Sequence, residues 1–258
     1  MSGIHPTAQV DPRARLGAGV TVGAYSVVGG EVALGDGVEI AAHVVVTGRT
    51  RVGPRTRIFP FTAVGGEPQD KGFQGEPTEL EIGADNVIRE HVTIHLGTKK
   101  GGGCTRVGDD NLIMNGVHVA HDCQIGSHTI IASFSGLAGH VAVEDFAVLG
   151  AYTGVHQFCR VGESVMCAGN AKLSLDAPPF SMVAGDRARL VGINTVGLKR
   201  RGFSPEATAA VKHAYHLLFS SKLRLEPALA RVRAELGDSP EVARLVRFLE
   251  KSERGFCR

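Results

Sequence analysis

The sequence predicts a mainly β chain, in which short strands wind in coils around a triangular prism and a small α-helical domain follows. Three observations carry this. Aliphatic side chains return at every sixth position, from Ile4 through Val10, Leu16, Val22, Val28, Leu34, Ile40, Val46, Val52 and Ile58 to Val64. The same period runs again from Val107 through Ile113, Val119, Ile125, Ile131, Leu137, Val143, Leu149, Val155 and Val161 to Cys167 and Leu173. After Leu173 it stops, and Asp176-Ala-Pro178-Pro179 breaks the chain ahead of a region rich in Ala, Leu, Lys and Arg.

A period of six fits neither the 3.6 of a helix nor simple alternation, but it fits a short strand plus a tight turn repeated around a prism. Three such steps make one coil, so residues eighteen apart stack on neighbouring coils. The small residue that often follows the inward aliphatic, as in Val22-Gly23, Leu34-Gly35, Val52-Gly53 and Ile125-Gly126, is expected to permit the sharp corner. Between the two runs the phase holds at Ile82, Ile88 and Ile94 and then slips by one residue. The gap and the slip predict two inserted loops, near residues 67–77 and 98–105. At roughly 1.5 to 3 kcal/mol per buried Val, Leu or Ile, the inward column gives a large gross term without any crosslink.

Two features follow the breaker, Gly192-Ile-Asn194 and Lys199-Arg200-Arg201-Gly202-Phe203. Ser204-Pro205-Glu206 then reads as an N-cap, a proline at the first helical position and an early acidic residue, starting a helix to about Ser220. A second helix is expected from Glu226 to Leu236, and Ser239-Pro240-Glu241 repeats the start signal for a third that ends near Arg254. The domains are read as 1–195, the repeat, and 196–258, the helices.

Composition narrows the function. The 258 residues carry a formal net charge of +2 with 43% hydrophobic residues, a balance that does not suggest a nucleic-acid binder. The 34 glycines, 5% aromatics and absence of tryptophan point to many turns rather than an aromatic core. No run approaches the roughly 18 apolar residues of a membrane span, and the first residues lack the basic and apolar regions of a leader, so a cytoplasmic protein without stable membrane insertion is expected. The five cysteines, Cys104, Cys123, Cys159, Cys167 and Cys257, contain no Cys-x-x-Cys and read as buried thiols.

Chemistry concentrates in Asn115-Gly-Val-His118-Val-Ala-His121-Asp122-Cys123. Stacking at intervals of eighteen places His121, Gly139 and Gln157 in one column, with His140 and His156 beside it. A histidine can take a proton from a hydroxyl or amine, and a neighbouring carboxylate, Asp122, can orient its ring and stabilise the imidazolium. Gly139 allows a backbone N–H to face a developing oxyanion. The set suggests acyl transfer. Without a Gly-x-Ser-x-Gly elbow, direct attack by a substrate group is favoured over a seryl intermediate. His118 fits this site or a purely structural lining of the corner; His43, His91, His95 and His128 read as ordinary turn or surface histidines. The match of His140 and Asp145 to a His-x4-Asp pattern is read as coincidence, because the two fall on different steps. A rival reading is metal: prism-shaped hexapeptide proteins include carbonic anhydrases with three histidine ligands to zinc, a role open to His95, His118 and His121, though it leaves Asp122, Gly139 and Gln157 unused.

Val117-His-Val-Ala-His-Asp122, Gly139-His140, Val155-His-Gln-Phe158, Asn194, Gly197-Leu-Lys-Arg-Arg-Gly-Phe203 and the Pro68-Gln-Asp70 loop together resemble the UDP-N-acetylglucosamine acyltransferases of lipid A biosynthesis, over the whole chain and with both insertions. The resemblance implies a homotrimer of left-handed parallel β-helices with sites between subunits. It implies transfer of a 3-hydroxyacyl chain from acyl carrier protein to the 3-position of a UDP-sugar, the first step of the pathway, with no cofactor or metal beyond the 4′-phosphopantetheine arm of the donor. Matched by position, His121 is the general base, Asp122 its orienting partner and the Gly139 N–H the oxyanion donor. Gln69, Asp70, His118, His140, His156 and Gln157 are substrate contacts, and Asn194, Arg200 and Arg201 help hold a phosphate-bearing substrate. Gly169 takes the place of the acyl-length ruler, where glycine implies a longer chain. Basic residues such as Lys212, Lys222 and Arg231 suit docking of an acidic carrier protein.

The sequence departs from the family at two places. The loop usually reads Pro-Gln-Asp-Leu-Lys, whereas here it is Pro68-Gln-Asp-Lys71-Gly72, and Val196 stands where some relatives carry glutamate. A 3-amino acceptor giving an amide is therefore kept as an alternative. The N-acyltransferase acting later in the same synthesis is disfavoured by the repeat starting at Ile4.

Overall fold

The computed structural model describes residues 3–258, and among them the β region forms three parallel sheets of eleven, nine and eight strands. The first sheet contains the strands at Val22, Ile40, Ile58, Ile88, Ile113, Ile131, Leu149 and Cys167; the second those at Val28, Val46, Val64, Ile94, Val119, Leu137, Val155 and Leu173; the third those at Leu34, Val52, Ile82, Val107, Ile125, Val143 and Val161. Each strand pairs with its counterpart one coil away, as Ile113 with Ile131 and His118 with Gly136. The architecture is a left-handed parallel β-helix with a small helical region behind it.

The six-residue column is the core. Val28, Ile58, Ile94, Ile113, Ile131, Leu137 and Leu149 are almost wholly buried. Ile4 is an exception, 41% exposed, with Val10 and Leu16 only partly buried, because the first coil has a neighbour on one side alone. The backbone between strands turns differently from the expectation. The left-handed conformation falls not on the small residue after the aliphatic but two positions later, at Tyr25, His43, Phe61, His91, Asp122, His128 and His140, with φ between 58° and 63°. What the small residue provides is room: a Cβ on Gly35 would lie 2.7 Å from the Pro54 nitrogen, and one on Gly53 2.4 Å from Gly83. Side chains at the left-handed position offset its strain by stacking, as in the Tyr25, His43, Phe61 and His91 rings, whose successive centroids lie 5.2 Å apart.

Beyond the last coil, the strand Ser181–Ala184 adds to the first sheet in parallel and Arg189–Ile193 pairs antiparallel with it, a hairpin that the period gave no sign of. Helix α1 (Thr195–Arg200) follows, capped by the Asn194 side chain, which accepts from the Gly197 N–H at 2.9 Å. Helices α2 (Pro205–Tyr215), α3 (Leu225–Leu236) and α4 (Pro240–Glu250) match the expected starts, and Ser204 and Ser239 cap the first and last. A single π turn, His216–Ser220, carries α2 on to Ser220. These helices bury their own cluster, including Leu198, Val211, Leu229, Leu245 and Phe248, around Phe180. None of them is long and apolar enough to cross a membrane.

Candidate active site

The prism has three edges, and the edge between the second and third sheets carries the reactive cluster. On successive coils this edge presents His121-Asp122, Gly139-His140 and Gln157-Phe158, the second of each pair in the left-handed conformation. The second inserted loop covers Asp122 and leaves His121 at the rim: their side chains are 0% and 15% exposed. The His121 Nδ1–H donates to Asp122 Oδ2 at 2.8 Å, which directs Nε2 outward as the acceptor. The His121 ring lies over Gly139, where a Cβ would sit 2.5 Å from Cε1 and 2.7 Å from Nε2. Only glycine leaves that space.

The His140 ring stands edge-on to His121 at 5.1 Å and stacks on Phe158 at 4.4 Å, with Nε2 3.8 Å from Asp122 Oδ2. Burial holds the His140 imidazole below its ordinary range, opposed by the Asp122 carboxylate and more weakly by Asp70 of the first inserted loop, which brings that loop to the same edge. His118, on the outer face of the second sheet, bonds through Nδ1 to Thr93 Oγ1 at 2.8 Å. Burial lowers its pKa too, helped by His95 and His121. Both rings are therefore neutral at pH 7. The sign of the linkage follows: an unfolded histidine binds a proton near pH 6.5, while these folded ones do so only at lower pH. Their contribution to stability is complete above about 6.5 and is lost as pH falls. We expect the melting temperature to drop between pH 7 and 5.5, and the drop to be smaller in a His118→Gln/His140→Gln variant; equal slopes for the two proteins would refute this.

His43, His91 and His128 are turn residues as expected, and Asp145 serves the backbone by accepting from the Ser127 N–H, not His140. His95 differs from the expectation. It is half-buried, bonds the Glu67 carbonyl through Nδ1 at 2.7 Å and packs edge-on against His118 at 5.2 Å. The first inserted loop pulls it into the wall of the site. The side chains brought within ligand reach of one another are His121, Asp122 and His140, with ligand atoms inside 4.8 Å, and not the trio His95, His118 and His121.

Sequence reasoning missed three parts of the site. Thr98 and Gly101, in the second inserted loop, lie directly on the Asp122 carboxylate: the Thr98 N–H and hydroxyl donate to Oδ1 and Oδ2 at 2.8 and 2.6 Å. Gly136 and Gly154 stack beside His118 on the outer face of the second sheet, and their missing side chains open a groove of about 550 Å³ that runs past His156 to Lys172 and Arg187. Lys100 is the third. Its Nζ lies 3.7 Å from where a side chain on Gly72 would begin, so the second loop presents an ammonium beside the position from which the first loop's lysine is displaced. For the two loops the only signal in the sequence was the lost phase; Gly136 and Gly154, eighteen apart in the unbroken repeat, stood out only as glycines one residue before the inward aliphatic.

The remaining candidates are divided among the three edges. Gln157 and His156 are exposed on the coil above Gly139, and Gln69 is exposed in its loop. Gly169 sits on the edge between the first and second sheets, where an added Cβ meets nothing nearer than the Ala151 carbonyl at 3.5 Å. Asn194 and Arg201 mark the third edge. Asn194 donates to the Ser164 carbonyl at 2.9 Å as well as capping α1, and Arg201 pairs with Glu163 at 2.6 Å and covers the Phe146 ring at 3.7 Å. Arg200 beside it is exposed. All five cysteines are buried, and burial pushes the Cys123 thiol to about 12 and that of Cys159 to about 11, which removes them as nucleophiles.

A family model for domain 2 of UDP-N-acetylglucosamine O-acyltransferase matches residues 176–257, and one for the bacterial transferase hexapeptide matches 13–48 and 104–139. The acyl-[acyl-carrier-protein]–UDP-N-acetylglucosamine O-acyltransferase of Herminiimonas arsenicoxydans is 53% identical over the whole of both chains. The chain belongs to this acyltransferase family. The counterpart from Thiobacillus denitrificans is 52% identical, again over the whole of both chains. Among solved structures, the family members from Bacteroides fragilis and Acinetobacter baumannii are each 40% identical with a TM-score of 0.96; the first covers 98% of this chain and 99% of its own, the second 99% of each. The chain is therefore an acyltransferase.

Proposed function

We propose that the chain transfers a 3-hydroxyacyl group from acyl carrier protein to the 3-hydroxyl of UDP-N-acetylglucosamine, with His121 as general base. The observation that carries the assignment of the base is the 2.8 Å bond from His121 Nδ1–H to a fully buried Asp122 carboxylate, with Nε2 left facing outward above Gly139. Nε2 takes the proton of the sugar hydroxyl as its oxygen attacks the thioester carbonyl. The Gly139 N–H then stabilises the oxyanion. When the carbon–sulfur bond breaks, the imidazolium returns the proton to the leaving thiolate of the 4′-phosphopantetheine arm, and no further cofactor is called for. Asp122 holds the tautomer throughout. A carrier-protein donor and a sugar-nucleotide acceptor support a cytoplasmic location in this reading. His118, His140, His156, Gln157, Gln69 and Asp70 surround the acceptor in this reading.

The assembly we propose is a homotrimer. In a single chain the base, the ruler Gly169 and the Asn194–Arg201 group occupy three different edges of one rigid prism, and no local motion brings them together. A second copy can set one edge beside another. The outer face of the first sheet supports this, since Val87, Leu112, Ile130, Val148 and Met166 form an apolar stripe. With the open space at Gly169, we expect a Gly169→Met variant to prefer a shorter acyl chain, because the side chain would project where the chain end lies; an unchanged length preference would remove Gly169 from the groove.

The direct test is a mass-spectrometric transfer assay that offers 3-hydroxyacyl carrier proteins of several lengths with UDP-N-acetylglucosamine. Ester product of the expected mass supports the reading. No product with any donor would overturn it.

A further inference from the structure

We propose that Thr98, on the second inserted loop, is a positioning residue that fixes the Asp122 carboxylate and, through it, the tautomer and aim of His121; this rests on the acyl-transfer reading above. The Asp122 side chain is fully buried, and three groups donate to it. Two of the three come from Thr98: its N–H to Oδ1 at 2.8 Å and its hydroxyl to Oδ2 at 2.6 Å. The third is His121 Nδ1, on the same Oδ2 at 2.8 Å. The direction of the hydroxyl is also set. Thr98 Oγ1 accepts from the Gly101 N–H at 3.2 Å as the cap of a short helical turn, Lys99–Gly101, which leaves its own proton for the carboxylate.

The loop is shaped to the carboxylate. A Cβ on Gly101 would fall 2.0 Å from Asp122 Cγ, so the loop backbone lies flat against the group and stops it from rotating. On the other side the Asp122 N–H is held by Thr105 Oγ1 at 2.8 Å, within the strand that resumes the repeat. The first insertion leaves the repeat at this same step one coil earlier, and the coils from Asp122 onward pass it without any insertion. The break in period between Ile94 and Val107 thus installs a two-point clamp on the one carboxylate that contacts the base. A clamp of this kind preorganises the base before substrate arrives.

The test compares Thr98→Val, which keeps shape and N–H but loses the hydroxyl, with Thr98→Ser, which keeps the hydroxyl. Each is assayed as the full chain. For Thr98→Val we expect kcat to fall by about tenfold or more with the KM for the UDP-sugar within about twofold. We also expect the acid limb of the pH profile to move to higher pH, because Oδ2 then bears more charge against His121. Thr98→Ser should restore both. Gly101→Ala, whose methyl pushes the carboxylate from the loop side, should lower kcat without removing any hydrogen-bonding group. Wild-type kcat and pH profile in Thr98→Val, or wild-type kcat in Gly101→Ala, would overturn the proposal.

A second readout does not depend on activity. The downfield proton resonance of His121 Nδ1–H should be present in wild type and Thr98→Ser and displaced or broadened in Thr98→Val; an identical resonance in all three would also overturn the proposal. Should the wild type transfer no acyl group, the function reading fails while the resonance still decides whether Thr98 holds the dyad.

Discussion

Replacing His121 by alanine is expected to lower kcat by about 10²- to 10⁴-fold, the range for loss of a positioned general base, with little change in the affinity for the carrier protein. The fold should survive. His121 stands at the rim of a turn, contributes no residue to the aliphatic column and makes one side-chain hydrogen bond, to Asp122. Circular dichroism and melting should therefore stay close to wild type, which separates a chemical loss from a structural one. Retention of more than about a tenth of wild-type kcat would mean that another group takes the proton, and His140, edge-on at 5.1 Å, is the first to examine.

Gly139→Ala is expected to cost nearly as much, for a different reason. The backbone at Gly139 is one that alanine adopts without strain, so the added methyl acts only through space, and that space is filled by the His121 ring 2.5 Å away. Either the ring or the coil must give way by about an ångström, and a displacement of that size costs on the order of 10²-fold in rate. The Gly139 N–H, the proposed oxyanion donor, moves with it. In a His121→Ala background the same methyl meets an empty space, so the second substitution should add little. Multiplicative losses in the double variant would show that Gly139 acts on something other than the ring.

The repeat was legible because its period comes from burial: one residue in six must face a dry interior at every step, and a polar side chain there would be costly. The helices were legible from Ser-Pro-Glu capping, which is local. The hairpin at Ser181–Ile193 and helix α1 were not, because the hairpin borrows its pairing from the last coil and α1 takes its start from a cap that also bonds Ser164 across the junction. Of the site, His121, Asp122, Gly139 and His140 were visible because spacing by eighteen is a spatial statement in a prism. Thr98 and Gly101 were invisible, since they reach the site through an inserted loop that obeys no period, and His95, on the strand Thr93–His95, joins the wall through its bond to the Glu67 carbonyl of the other loop. Arg201, expected from its sequence motif to help hold a phosphate, pairs in the chain with Glu163 and covers the Phe146 ring, contacts that no motif announced.

By itself, then, the sequence determined the coil, its direction of burial and the column in which the base stands, because each follows from a repeated local rule. Only the tertiary structure decided how the carboxylate is held, which histidines share the wall and on which edge each remaining candidate lies. Those outcomes depend on where two irregular loops land and on the rigidity of the prism between its edges, and neither is written in any single stretch of chain.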